Sequence, residues 1–176
     1  MRSAVLLVLL VLLVTLMFTD ADPCTDRGGN NDYYRFKNRH IISSVFNKND
    51  RNAWARYLTE KGLCGSDRPS RQSFLSRSNE KYITQICNGR GNKYRGNLCI
   101  SNKRFSVYIV TKNNNLSSCE VRTIEKNRYY VVVACNVVDN QCLPVHYQTQ
   151  TDTRGHGAIC RPPTNRRHHW YSRLEK

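Results

Sequence analysis

The sequence predicts an α+β fold, three helices packed on a curved antiparallel β-sheet and stapled by disulfides. Three observations predict it. Apolar residues recur at helical spacing up to Cys87 and at alternating spacing after Asn88. Helices gathered ahead of strands indicate an α+β arrangement rather than alternating α/β units. Eight cysteines, at 24, 64, 87, 99, 119, 135, 142 and 160, follow an apolar leader, an even count that reads as four disulfides in an exported basic chain.

The first helix follows Asn31-Asp32 in YYRFKNRHI. Asp32 is a capping residue, and Tyr33, Phe36, Lys37 and His40 share one face. His40 therefore lies beside a core aromatic at the helix's last turn. The second helix starts at Asp50 and ends before Gly62, a C′ glycine, with Ala53, Trp54, Tyr57 and Leu58 inward. The third spans about Ser78 to Cys87, with Tyr82, Ile83 and Ile86 inward. NLCIS, RFSVYIVTK, CEVRTIE, RYYVVVAC and CLPVHYQT then read as strands. NNNLSS (113–118) is a hairpin loop, and Asn115-Leu116-Ser117 within it is a glycosylation sequon. RGNKYRG (90–96) is expected to be a loop whose cations and Tyr94 either contact phosphates or a base or are simply solvated.

The domain expectation is a signal peptide over 1–21, one domain over 22–154 and a basic C-terminal extension over 155–176. The leader carries one arginine, an apolar run and Thr19-Asp20-Ala21 before the cleavage point, and the run is too short to span a bilayer. The protein is expected to be secreted, extracellular and monomeric. A net charge of +15 favours polyanionic partners: nucleic acid, heparan-type glycans or anionic membranes. The cysteines have neither C-x-x-C spacing nor a facing H-x₃₋₅-H, so zinc is disfavoured. The tail segment RRHHWYSR (166–173) reads first as disordered, with glycan or membrane binding as the alternative.

Two histidines stand out, His40 on a helix and His146 in CLPVHY. With FKNRH, VVVAC (131–135), LPVHY and NLCIS followed by RFSV, the chain resembles the ribonuclease A (pancreatic-type) superfamily, its angiogenin-type and other secreted members included. The resemblance covers roughly Tyr33 to Thr149. It implies an endoribonuclease that needs no cofactor, because RNA carries its own nucleophile, the 2′-hydroxyl. His40 would be the base, His146 the acid and a 2′,3′-cyclic phosphate the product. Imidazole suits both roles, titrating near pH ~6.5.

Several positions depart from the family's pattern. The segment CGSDRPSRQSF (64–74) lacks the family's lysine: counted back from Phe74 without a gap Pro69 falls there, and one inserted residue after the Gly62-Leu63 match places Arg68 there, with Arg71 and Arg39 in reserve. Arginine is a permanent cation that does not donate its proton in an enzyme. Arg39 also replaces the glutamine before the helix histidine, where it either binds phosphate or is simply solvated. Gln148 replaces the aspartate that orients the acid histidine and supports imidazolium less well than a carboxylate does. Ser73 stands for the base-reading threonine or is an ordinary strand serine, and Tyr147 stands for the aromatic or leucine after the acid histidine or is an aromatic packed near the sheet. The resemblance therefore predicts weak catalysis, with a host-defence or angiogenin-like role. The alternatives are a non-catalytic cationic antimicrobial or glycan-binding protein of the same fold, and a receptor ligand.

The family match implies the pairs Cys64–Cys119 and Cys87–Cys135. Its usual third core pair falls on Trp54 and Val110, both apolar, so packing is expected to replace that bridge. Cys24, Cys99, Cys142 and Cys160 allow three connectivities. Of the three, Cys99–Cys142 with Cys24–Cys160 is expected.

Overall fold

The computed structural model describes residues 22–113 and 119–163. The expected leader, Asn115 and the tail segment 166–173 lie outside the described residues. In chain order the elements are α1 (Asp32–His40), β1 (Ile41–Ile42), α2 (Arg51–Glu60), β2 (Arg71–Ser76), α3 (Glu80–Thr84), β3 (Gly91–Arg95), β4 (Leu98–Ser101), β5 (Phe105–Lys112), β6 (Val121–Val138) and β7 (Gln141–Thr151). Short 3₁₀ turns, Arg77–Asn79 and Gln85–Cys87, flank α3.

Local chemistry accounts for the helix ends. Asp50 caps α2 by accepting from the Asn52 amide at 2.8 Å. At the other end Gly62 takes φ +62°, and the Leu63 amide reaches back to the Leu58 carbonyl at 2.9 Å. Asp32 does not cap α1 as expected. Asn31 holds that position without a side-chain bond, and the Asp32 carboxylate instead accepts from the Gly29 amide at 2.7 Å.

The sheet runs β1-β2-β5-β6-β4-β3, with β7 also on β6, and is antiparallel except for the two-residue β1–β2 pair. β6 is its spine. Its first half pairs with β5 and its second half with β4 and β7. The expected strands CEVRTIE and RYYVVVAC are thus one continuous strand.

Two hydrophobic cores flank β2 and β5. Leu75, Val107 and Ile109 enter the core of α1, with Phe36, Ile83 and Val133. Phe74, Tyr108 and Val110 enter the core of α2, with Trp54, Tyr57 and Leu58. Neighbouring residues face opposite cores because strand side chains alternate. Trp54 and Val110 lie fully buried in one cluster, and the indole also packs on Phe46, Phe74 and Tyr108.

Cys64–Cys119 and Cys87–Cys135 are joined as the resemblance implied. The other expected pairs, Cys99–Cys142 and Cys24–Cys160, are not formed. The bridges are Cys24–Cys142 and Cys99–Cys160. The N-terminal segment lies along the end of β6, with the Cys24 amide on the Cys135 carbonyl at 3.0 Å and Arg27 bridged to Val137. Val137 pairs with Cys142 on β7, which brings Cys24 and Cys142 together.

The stretch 90–96, expected as a loop, contains strand β3. The chain beyond Gly155, expected as an extension, returns to it. The Lys93 amide donates to Ala158 at 2.6 Å, and the Cys160 amide donates to Gly91 at 2.8 Å. β3 pairs with β4 through Lys93 and Cys99, so Cys160 meets Cys99.

Candidate active site

The strand directly after α1 fixes the position of His40. α1 runs straight into β1, whose Ile41 and Ile42 pair with Leu75 and Ser76 of β2. This clamps the last helical turn against β2, and His40 Nδ1 lies 3.0 Å from the Ser73 carbonyl oxygen. A carbonyl only accepts, so Nδ1 carries the proton and Nε2 holds the free lone pair. The ring packs against Phe36 at 5.6 Å between centroids and stacks on Tyr147 at 5.0 Å and 22°. Burial holds the His40 pKa down, to about 4. The bond to Ser73 opposes that shift, and the charges of His146 and Arg39 add to it.

His146 lies on β7 opposite Ala134 of β6. The register breaks on both sides of it. Cys135 pairs with Pro144 and Ala134 with His146, which leaves Val145 over. Val133 pairs with Tyr147 and Val132 with Thr149, which leaves Gln148 over. Such bulges re-aim side chains and are where a strand tolerates proline. His146 is exposed and Tyr147 buried. Both histidines line one cavity of about 720 Å³ between α1, the 64–72 segment and β7.

At one end of this cavity four residues close a ring. Ser73 Oγ donates to Gln150 Oε1 at 3.1 Å, and the Tyr147 hydroxyl donates to the same oxygen at 2.9 Å. Tyr147 stacks on His40, and His40 returns to the Ser73 carbonyl. Burial pushes the Tyr147 phenol pKa up, against the lowering effect of the nearby Ser73 hydroxyl. The cavity also has a cationic rim of Arg35, Arg39, Arg68 and Arg71. Arg68 lies 3.4 Å from Asp67, Arg71 3.5 Å from Glu125 and Arg35 3.6 Å from Asp32. Arg39 has no carboxylate partner among the described residues.

All seven residues singled out from the sequence, His40, His146, Arg68, Arg39, Ser73, Tyr147 and Gln148, line this one cavity. Among the described residues no hydrogen bond joins Gln148 to His146. Sequence reasoning missed Gln150 and Arg35. Alternation puts Gln150 on the His146 face, and the bulge at Gln148 is what brings Tyr147 and Gln150 together. Arg35 could have been found as the i−4 neighbour of Arg39 on α1.

Among the described residues no cluster of histidine, cysteine or carboxylate side chains could hold a metal ion, and no helix is long and apolar enough to cross a membrane. No protein-family model matches the sequence, and no curated protein matches it. Solved structures do match. One is the crystal structure of green turtle egg white ribonuclease, with a TM-score of 0.54 and 20% identity, covering 68% of this chain and 98% of the turtle chain. Three helices on a curled sheet, four disulfides and this structural likeness make the fold of the chain ribonuclease A-like.

Proposed function

We propose that the protein is a secreted endoribonuclease that cleaves RNA by transphosphorylation, at a low rate. The observation that carries this reading is the bond from His40 Nδ1 to the Ser73 carbonyl, which leaves Nε2 as a fixed, neutral lone pair in the cavity shared with His146. Nε2 takes the 2′-hydroxyl proton as the 2′-oxygen attacks phosphorus. The bond from phosphorus to the 5′-oxygen breaks, and His146 gives a proton to that oxygen. The products are a 2′,3′-cyclic phosphate and a 5′-hydroxyl. Arg68 supplies charge to the phosphorane-like transition state, and Arg39, on the same cavity rim, binds phosphate. The base lies against Ser73 and Tyr147.

Two features support a low rate. Gln148, two positions after His146, makes no hydrogen bond to it among the described residues, so the imidazolium lacks the carboxylate support that would favour it. Gln150 occupies the Ser73 hydroxyl that would read a base. The same features favour the second reading, a cationic antimicrobial or glycan-binding protein without catalysis. Four disulfides accord with an extracellular location, and the ribonuclease reading carries with it a host-defence or angiogenin-like role.

Purified, disulfide-intact protein acting on a fluorogenic dinucleotide provides the test. His40→Ala and His146→Ala should each remove nearly all cleavage while leaving the melting transition cooperative. Undiminished cleavage in either variant would rule out the assignment. A wild type that releases no cyclic phosphate would leave the non-catalytic reading.

A further inference from the structure

Tyr82, expected to face the core from the third helix, is 39% exposed. It carries two cations instead. Lys103 Nζ lies 3.4 Å from the ring centroid, and the Arg90 guanidinium carbon lies 5.3 Å from it. The three residues, with Asn102 and the buried Phe105, line a cleft of about 170 Å³ that shares no residue with the histidine cavity.

The scaffold under this cleft is fixed from several sides. Ser101, 1% exposed, accepts from the Val131 amide at 2.9 Å and donates to the Lys103 carbonyl at 2.8 Å. The Asn102 amide donates to the Arg90 carbonyl at 3.3 Å, which ties the turn after α3 to the β4–β5 turn. Neither Arg90 nor Lys103 has a carboxylate partner among the described residues, whereas the adjacent Arg104 is held 3.6 Å from Asp152. Packing on a ring orients a cation without neutralising it. Two positive charges therefore stand over one cleft on a rigid base, with Asn102 in its lining.

We propose that this cleft is a polyanion site, separate from the histidine cavity, that takes the sulfate groups of a sulfated glycan. Single-stranded nucleic acid binds such proteins by stacking bases on open aromatic faces. Here Lys103 lies over the Tyr82 ring, so the cleft offers charge to oxyanions and little ring surface to a base. The assignment does not depend on catalysis.

Heparin is the probe, with the full chain carrying Arg90→Ala and Lys103→Ala together. The control is Arg122→Ala with Lys126→Ala, which removes the same charge from exposed positions on β6. The cleft variant should elute from immobilised heparin at clearly lower salt than the control. Its slope of log affinity against log salt should fall by about two relative to wild type, one for each lost contact. Co-elution of the two variants would show that only net charge matters and would overturn the site. A loss of affinity for a 2′-O-methyl oligoribonucleotide as large as the loss for heparin would overturn the glycan assignment in favour of nucleic acid.

Discussion

The imidazole of His40 gives its Nδ1 proton to the Ser73 carbonyl oxygen at 3.0 Å, and burial holds the ring neutral down to about pH 4. An ordinary histidine, titrating at 6.5, is charged well before that. Histidine NMR titration should therefore find one ring with a depressed midpoint, and His40→Ala should remove that signal. Stability changes with a definite sign. As pH falls through 6.5 the unfolded chain takes up a proton that the folded chain refuses, so this contribution is intact above 6.5 and lost towards pH 4. The loss is at most about 3 kcal/mol, and urea titrations across that window should show a shallower decline for His40→Ala. A His40 midpoint near 6.5 in the native protein would show that the ring is not held as described.

Gln150 accepts the Ser73 hydroxyl that the proposed ribonuclease reading assigns to a base. Gln150→Ala should raise kcat/KM on a dinucleotide about two- to tenfold, the worth of one net hydrogen bond, mostly through KM. Tyr147→Phe removes the second donor to Gln150 and keeps the stack on His40, so it should act in the same direction but more weakly. Reduced binding in Gln150→Ala would mean that the glutamine reads the base rather than blocking it.

Arg68 is the cation expected to act in the transition state. Arg68→Ala should lower kcat by about 10²–10³-fold with little change in KM, and Arg68→Lys should restore or exceed the wild-type rate. Asp67→Asn should raise the rate by freeing the guanidinium that Asp67 now faces. If Arg39→Ala carries the kcat loss instead, the helix supplies the cation.

Trp54 is fully buried where its indole NH donates to the Lys48 carbonyl at 2.9 Å. Trp54→Ala should cost about 3–5 kcal/mol and leave that carbonyl without its partner. A melting temperature within a degree or two of wild type would show that the aromatic cluster does not carry the core of α2.

The histidines were legible because their chemistry demands particular residue types within short recognisable stretches. α2 was legible because its cap, apolar stripe and C′ glycine agree with one another. β2 was harder. Phe74 and Leu75 are consecutive and both buried, one in each core, so no half-buried alternation marks the strand. β3 is polar and is paired through its backbone to residues about 65 positions later, which no periodicity records. Bulges hid the ring around Gln150, because one extra residue changes which side chains share a face. The disulfides of Cys24 and Cys160 depend on where two irregular segments lie against β6 and β3.

The return of residues 157–160 to β3 also bears on self-association. Without that segment β3 would be the outer strand of its end of the sheet, with an open carbonyl at Gly91 and an open amide at Lys93 that a second molecule could pair with. The Cys99–Cys160 bridge holds a short piece of the chain's own backbone over that row, and the exposed Tyr94 and Ile159 lie beside it. Replacing both cysteines by serine should leave the two histidines in place and loosen this cover. Such a variant should keep the wild-type rate at low concentration, lose amide-exchange protection at Lys93 and at position 160, and form oligomers visible by light scattering as concentration rises. On that outcome the Cys99–Cys160 bridge would be a guard on a sheet edge as well as a source of stability.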